Sequence, residues 1–271
     1  MHIQVQDHPL YAYTGGKAFD AAKPTVVLIH GVLNDHSVWA LQSRYLAHHG
    51  FNVLAIDLPG HMRSGGTPPA SVQQAAATVL ALLNALGIER AALAGHSFGS
   101  LIALQAAADA PARVSRLALL GTAFPMKVSP ALLEAAVAAP EKAIHMVNVF
   151  SHSTLCPPHA SSGAGGVWLH GASRALMRRV LASNPQTNVF HTGFVACDSY
   201  ADGQAAMAAV QCPTLFVIGR HDQMTPPKAA RALAQHARQP QVVEVNAGHS
   251  LMTEAPDEVL RALHGFLQAG G

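Results

Sequence analysis

The stretch Gly95-His96-Ser97-Phe98-Gly99 decides the fold that we predict for this chain. It follows the apolar run 91–94, which is typical of a short buried strand, and it precedes the alanine-rich run 101–108, which is typical of a helix. Glycines on either side of Ser97 let the strand and the helix approach closely, and the sharp turn between them exposes the serine hydroxyl. The pattern therefore predicts a nucleophilic serine. The alternative is that Ser97 only caps the following helix.

Apolar runs and helical patterns alternate on both sides of this stretch. The run Thr25-Val26-Val27-Leu28-Ile29 is continuous and rich in β-branched residues, which suits a strand covered on both faces, as in a parallel sheet. Such alternation predicts an α/β fold with a mostly parallel, eight-stranded sheet flanked by helices. The predicted strands lie at residues 3–5, 10–14, 25–29, 51–56, 91–94, 117–120, 214–218 and 241–245.

The alternation is interrupted between residues 124 and 211. Prolines and the small-residue stretch 161–166 break this region into short helices and loops, and the alternation of strand and helix resumes after it. We therefore predict a core formed by residues 1–123 and 212–271, with residues 124–211 inserted as a helical cap.

The composition limits the classes of protein to which the chain can belong. Of its 271 residues, 50% are hydrophobic and only 12% are charged, and the net charge of +2 contains no block of one sign. We therefore expect no nucleic-acid partner and no membrane partner. No stretch approaches the ~20 apolar residues that span a bilayer, and the N-terminus lacks the basic start and apolar core of a secretory signal. The chain has three cysteines and no C-x-x-C pair, which indicates reduced thiols and a cytoplasmic protein. The cysteines are Cys156, Cys197 and Cys212.

A nucleophilic serine needs a base within hydrogen-bond reach and a third group that orients the base. Two residues that follow predicted strands meet this need: Asp222 after 214–218 and His249 after 241–245. Because parallel strands end at one edge of the sheet, we predict that both side chains lie near Ser97. Asp222 has an alternative role as a turn residue, and Asp198 and Asp202 are weaker candidates for the acid.

With these motifs the chain resembles the α/β-hydrolase superfamily, in its branch of capped esterases, lactonases and C–C hydrolases. The resemblance covers essentially the whole chain. One departure is Met62, where relatives usually carry glycine. The matching motifs are His30-Gly31, Asp57-Leu58-Pro59-Gly60-His61, Gly95-His96-Ser97-Phe98-Gly99, Gly219-Arg220-His221-Asp222 followed by Thr225-Pro226, and Gly248-His249.

The resemblance also implies an oxyanion hole made of backbone groups. In this chain the two donors would be the N–H groups of Val32 and Phe98, with Leu33 as the alternative if the loop register differs by one. Donors aimed at a developing oxyanion can contribute ~3 kcal/mol each. The resemblance assigns His30 the role of orienting this loop rather than that of transferring protons.

The predicted cap supplies the remaining candidates. Its large apolar residues Phe124, Met146, Trp168 and Phe194 are candidates for lining the substrate pocket, and the alternative is that they form the core of the cap. Five histidines also lie there, without an H-E-x-x-H or paired i, i+4 signature and without a supporting carboxylate, so we predict no metal site. They are His145, His152, His159, His170 and His191.

These observations lead to an expected activity. We expect a cofactor-independent serine hydrolase that cleaves a small or medium carboxylic ester through an acyl-enzyme on Ser97, with a small-molecule substrate as its partner. Serine at this position argues against haloalkane dehalogenases and epoxide hydrolases, which resemble this fold but use aspartate. The alternatives are a lactone, enol-lactone or C–C bond hydrolase with the same three residues, or a small-molecule receptor with a hydrolase fold.

Overall fold

The computed structural model describes residues 1–153 and 169–269. Within them, eight strands form a sheet in the order β1-β2-β4-β3-β5-β6-β7-β8. The pairs β1/β2 and β2/β4 are antiparallel and all other neighbours are parallel, which confirms the predicted mostly parallel sheet. The strands are β1 (His2–Val5), β2 (His8–Tyr13), β3 (Thr25–Ile29), β4 (Asn52–Ile56), β5 (Ala91–His96), β6 (Val114–Leu120), β7 (Thr214–Gly219) and β8 (Pro240–Val245).

Helices cover both faces of the sheet. Along β3, Val27 and Ile29 pack into one hydrophobic cluster with helices α2, α3, α8 and α9, whereas Val26 and Leu28 pack into a second cluster with α1, α10 and α11. This alternation follows from the two-residue period of a strand. The helices are α1 (Ala40–His48), α2 (Val72–Ala85), α3 (Phe98–Asp109), α4 (Pro130–Ala138), α5 (Pro140–Ser151), α6 (Leu169–Ala182), α7 (Val189–Ser199), α8 (Gly203–Ala209), α9 (Pro227–Ala234), α10 (Leu251–Glu254) and α11 (Pro256–Gln268).

Helices α4 to α8 lie between β6 and β7, in the segment predicted to form a cap. Helices α4, α5, α6 and α7 share a third hydrophobic cluster, which also includes Leu33 from the loop after β3. Met224, from the loop after β7, packs against the same cluster. These four helices therefore lie over the carboxyl end of the sheet. Helix α8 differs, because Ala206 and Met207 pack into the core cluster beside α2 and α3.

A short 3₁₀ turn precedes the first helix. It occupies His36–Trp39, and α1 begins directly after it at Ala40. The Asp35 carboxylate accepts hydrogen bonds from the backbone N–H and the hydroxyl of Ser37, which fixes this turn.

The longest helices in the described residues, α2 and α6, contain 14 residues each. None of the described helices is long and apolar enough to cross a membrane.

Candidate active site

Ser97 lies at the turn between β5 and α3, and the turn is strained as the sequence predicts. Its backbone has φ 53° and ψ −120°, a conformation that non-glycine residues seldom adopt. A Cβ on Gly95 would lie 2.0 Å from the Gly99 carbonyl oxygen, and a Cβ on Gly99 would lie 2.3 Å from that of Ile29. Only glycine therefore permits this packing of strand against helix. Ser97 is partly exposed although residues 91–96 and 98–100 are buried, and its hydroxyl makes no capping hydrogen bond to α3.

His249 and Asp222 form a buried pair at the ends of β8 and β7. The Asp222 Oδ2 atom lies 2.8 Å from Nδ1 of His249 and accepts a hydrogen bond of 2.6 Å from the Thr225 hydroxyl. The Asp222 Oδ1 atom accepts hydrogen bonds from the backbone N–H groups of Met224, at 2.9 Å, and Thr225, at 2.8 Å. Burial acts to raise the pKa of Asp222, but the nearby His249 and these hydrogen bonds outweigh it, so the pKa lies below its ordinary value. Asp222 is therefore held ionised.

The other two aspartates that the sequence offered as acids lie elsewhere. Asp198 accepts a hydrogen bond of 3.0 Å from the Val128 backbone, and Asp202 accepts one of 2.8 Å from Gln73. Neither is hydrogen-bonded to His249 within the described part of the chain, so Asp222 alone has the geometry of an orienting acid.

Ser97 and His249 line one cavity of about 250 Å³ below helices α4, α5 and α7. Of the predicted pocket residues, Met146 and Phe194 line it. Phe124 instead packs against the ring of Tyr200, with 5.9 Å between ring centroids, and Trp168 lies outside the described residues. The lining is largely apolar and consists of Ser97, Met126, Lys127, Val128, Ser129, Leu132, Met146, Val147, Phe150, Phe194, Cys197, Gln223, Met224, Thr225 and His249.

The loop after β3 passes close to the serine. A Cβ on Gly31 would lie 3.0 Å from the Ser97 Cβ. Within the described residues, the backbone N–H groups of Val32, Leu33 and Phe98 donate to no protein acceptor. Unpaired N–H groups beside a candidate nucleophile such as Ser97 are the feature that an oxyanion hole requires. Val32 follows Gly31 directly, while Leu33 has φ 57° and its side chain packs into the cluster beneath the helices.

His30 fixes the shape of this loop. Its Nε2 accepts a hydrogen bond of 3.0 Å from the Leu58 backbone, so the proton is on Nδ1, which donates to the Gly31 carbonyl at 2.8 Å. Full burial lowers the pKa of His30, although the Gly31 carbonyl and the Asp57 carboxylate act in the opposite direction. A neutral imidazole with both nitrogens bonded within the fold fits an orienting role.

His96 contacts the loop that carries His249. Its Nε2 lies 2.9 Å from the His249 carbonyl oxygen, and the two rings have centroids 4.7 Å apart. Burial, followed by the nearby His249, lowers the pKa of His96 to about 3, so this ring is neutral and Nε2 is the donor. His96 is therefore bonded directly to the backbone of His249.

Two histidines of the segment predicted to form a cap also lie together. The rings of His152 and His170 stack with centroids 4.3 Å apart. The described residues contain no group of three or more side chains placed to hold a metal ion. His159 lies outside them.

Residues 24–256 match the family model described as the alpha/beta hydrolase fold. The chain belongs to the α/β-hydrolase family. This α/β-hydrolase is 30% identical, over 253 residues, to the dihydrolipoyllysine-residue acetyltransferase component of an acetoin cleaving system from Pseudomonas putida. The match covers 90% of this chain but 63% of that protein, so the chain spans less than two thirds of this relative's length.

Two further likenesses cover nearly whole chains. The (E)-2-((N-methylformamido)methylene)succinate hydrolase from Acinetobacter baylyi is 25% identical over 253 residues, which are 90% of each protein. The solved structure of an enol-lactonase from Burkholderia xenovorans LB400 superimposes with a TM-score of 0.80 and 26% identity, covering 98% of this α/β-hydrolase and 99% of that chain. Its similar proteins thus include hydrolases.

Two residues of this site have roles that only the structure reveals. The Thr225 hydroxyl bonds to both Asp222 and His249. The sequence feature that could have indicated this contact is a hydroxyl residue three positions after an aspartate, a spacing typical of turns capped by a side chain. Glu254 accepts a hydrogen bond from Gly248, in the loop that carries His249, and no pattern in the sequence indicates this contact.

Proposed function

We propose that this protein is a cofactor-independent serine hydrolase that cleaves small or medium carboxylic esters through an acyl-enzyme on Ser97. The observation that carries the proposal is the 2.8 Å pairing of His249 with Asp222 at a cavity that His249 shares with Ser97. Serine, base and orienting acid are the complete set of side chains that acyl transfer to a hydroxyl needs.

In the first half of the reaction, His249 Nε2 takes the proton of the Ser97 hydroxyl as Ser97 Oγ attacks the ester carbonyl carbon. The carbonyl oxygen becomes an oxyanion, and the N–H groups of Val32 and Phe98 donate to it. The carbon–oxygen bond to the alcohol then breaks, and His249 gives its proton to the departing alcohol. The acyl group remains bonded to Ser97.

In the second half, His249 takes a proton from water, and the resulting hydroxide attacks the acyl carbon. The bond to Ser97 Oγ breaks, Ser97 regains its proton from His249, and the carboxylic acid leaves. Asp222 stays ionised throughout, because its lowered pKa disfavours protonation. It fixes the proton of neutral His249 on Nδ1 and stabilises the imidazolium when it forms.

The cavity supports an ester of limited size. Its volume of about 250 Å³ lies below the roughly 300–1,000 Å³ that is typical of sites for drug-sized ligands. Methionine, leucine, valine and phenylalanine side chains form most of its wall, which favours an apolar acyl group.

A second candidate is hydrolysis of a lactone or enol-lactone. The likeness to the enol-lactonase, which extends over 98% of this chain, favours it. The chemistry is the same, except that the alcohol released in the first half stays tethered to the acyl group on Ser97.

Steady-state hydrolysis of p-nitrophenyl esters from acetate to decanoate tests the proposal, with Ser97→Ala as the control. We expect turnover that falls for the longer acyl chains and disappears in Ser97→Ala, because nucleophile and base act as a unit. Labelling of Ser97 by a fluorophosphonate without ester turnover would refute the ester proposal, and lactones and ring-cleavage diketones are then the substrates to assay. A burst of product without steady-state release would favour the receptor alternative.

A further inference from the structure

Glu254 is the last residue of α10, the short helix that follows the catalytic histidine. Its side chain turns back toward the preceding loop, where Oε2 accepts a hydrogen bond of 2.9 Å from the Gly248 N–H. Oε1 accepts one of 3.0 Å from the Ser153 N–H, just beyond the end of α5. One carboxylate thus joins the catalytic loop to the end of a helix in the predicted cap.

A second bond ties the other side of the histidine to the same segment. The Ser250 N–H donates to the Ser151 carbonyl at 2.9 Å. The two backbones run so close that a Cβ on Gly248 would lie 2.7 Å from the Ser153 nitrogen and 2.8 Å from the Ser151 oxygen. The residues before and after His249 are therefore both attached to the end of α5.

The charge of Glu254 serves these backbone contacts. Within the described residues it forms no ion pair of hydrogen-bonding length. Burial raises its pKa, and the Asp222 carboxylate acts in the same direction, while the two N–H groups and His170 act against it. The two backbone N–H groups offset part of the cost of burying this carboxylate.

Helix α5 also forms part of the wall of the cavity that contains Ser97. Met146, Val147 and Phe150 of this helix line the space in which Ser97 is exposed. The anchor of the catalytic loop therefore belongs to the same helix as part of the pocket.

We propose that Glu254 is a positioning residue, which holds the His249 loop against the end of α5 so that His249 stays aligned between Asp222 and Ser97. This inference rests on the proposed function, because it assigns Glu254 a role through His249. Glutamine at this position has one acceptor oxygen and no charge. With that oxygen in the Oε2 position, the Gly248 bond and the longer 3.2 Å contact from the Ser153 N–H remain, but the 3.0 Å bond from Ser153 is lost and its N–H faces an NH₂ group. The attachment of the His249 loop to the end of α5 is therefore weakened, because neither remaining contact is charge-assisted.

Glu254→Gln tests the proposal, with Glu258→Gln on the exposed side of α11 as the matched control. We expect kcat to fall about 10- to 100-fold, the size of effect that a displacement of catalytic groups by about 1 Å produces. The factor by which kcat falls should be the same for the acetate and hexanoate esters, and KM should be unchanged for both. Ser183→Ala removes a different contact between the helices and the core, the bond from the Met62 N–H, and should leave kcat unchanged.

A purely structural role would give another pattern. Loosening of the helices would raise KM for the hexanoate ester and leave kcat for the acetate ester at the wild-type value, and this result would overturn the proposal. The low-field proton resonance of His249 Nδ1 adds a spectroscopic readout, which should shift in Glu254→Gln and not in Glu258→Gln. If Glu254→Gln does not fold, Glu254→Asp, which keeps the charge but shortens the reach, is to be measured by the same readouts.

The rate at which a fluorophosphonate labels Ser97 separates this inference from the ester proposal. Labelling needs an aligned His249 but no ester turnover. A wild-type protein that is labelled but hydrolyses no ester refutes the ester proposal only. An equal labelling rate in wild type and Glu254→Gln refutes the role of Glu254.

Discussion

Replacing Asp222 with asparagine tests the assignment of the catalytic acid most directly, because the structure fixes how the new side chain must lie. Two backbone N–H groups, from Met224 and Thr225, point at the Oδ1 position from 2.9 and 2.8 Å. An amide NH₂ cannot face two donors, so the asparagine oxygen must occupy that position. Its NH₂ group then lies where Oδ2 was, 2.8 Å from Nδ1 of His249.

This orientation reverses the hydrogen bond to the histidine. The asparagine NH₂ donates to Nδ1, so the proton of neutral His249 moves to Nε2, and Nε2 cannot accept the proton of Ser97. In a Ser–His–Asp enzyme the same substitution lowers kcat about 10⁴-fold. At about 1.36 kcal/mol per factor of ten, this corresponds to about 5.4 kcal/mol of lost transition-state stabilisation. The polar framework around position 222 is retained, so the fold should persist.

The assay is steady-state hydrolysis of a p-nitrophenyl ester by Asp222→Asn, with circular dichroism to verify the fold. Asp198→Asn is the matched control, because Asp198 is one of the two other aspartates that the sequence offered as the acid and bonds to the Val128 backbone instead. We expect Asp198→Asn to retain wild-type kcat. A folded Asp222→Asn protein with near-wild-type kcat would show that the reasoning about the tautomer, and the assignment of the acid, are wrong.

Three further predictions concern stability. Gly99→Ala places a Cβ 2.3 Å from the Ile29 carbonyl oxygen and should lower the free energy of unfolding by about 1–3 kcal/mol; a urea midpoint equal to that of wild type would contradict this. Burial and the nearby His30 lower the pKa of His61 from 6.5 to about 4, so the unfolded chain binds more protons between these values. Stability should therefore fall as pH falls through this window, by at most about 1.4 kcal/mol per pH unit, and less steeply in His61→Gln; Tm against pH measures both slopes, and equal slopes would exclude His61 as the cause. Gln42 is 1% exposed, and neither of its amide atoms has a partner in the part of the chain that the structure describes, so Gln42→Leu should raise stability by about 1 kcal/mol, which a lower Tm would disprove.

The sheet and the elbow could be predicted because local composition specifies them. Residues Thr25–Ile29 are all apolar or β-branched, and the structure buries all five in a strand with the predicted bounds. Likewise, Gly95 and Gly99 flank Ser97 at the spacing that a tight strand-to-helix turn demands, and the close approaches follow. In both cases the decisive contacts are with neighbours along the chain or with any apolar layer that covers the strand.

The pocket could be predicted only in part, because its walls come from distant segments. Phe124 and Phe194 are equally large and apolar in the sequence, but Phe194 lines the cavity while Phe124 packs on Tyr200. Nothing in the residues around Phe124 specifies that partner. The role of Glu254 could not be predicted for the same reason, because its contacts depend on how the end of α5 packs over the loop after β8.

The sheet order explains why glycines recur along the edge that carries the site. Ser97 follows β5 and His249 follows β8, with β6 and β7 between them. Neighbouring strands are about 4.8 Å apart, so the loop after β8 must extend back over the ends of two strands to reach the serine. A Cβ on Gly121, after β6, would lie 3.2 Å from His249 Nδ1, and one on Gly219, at the end of β7, would lie 2.2 Å from the Gly248 carbonyl oxygen. Because Gly121 and Gly219 have no side chains, the loop that carries His249 has space to reach Ser97. The alignment of the site therefore depends on these two glycines as well as on Ser97, His249 and Asp222.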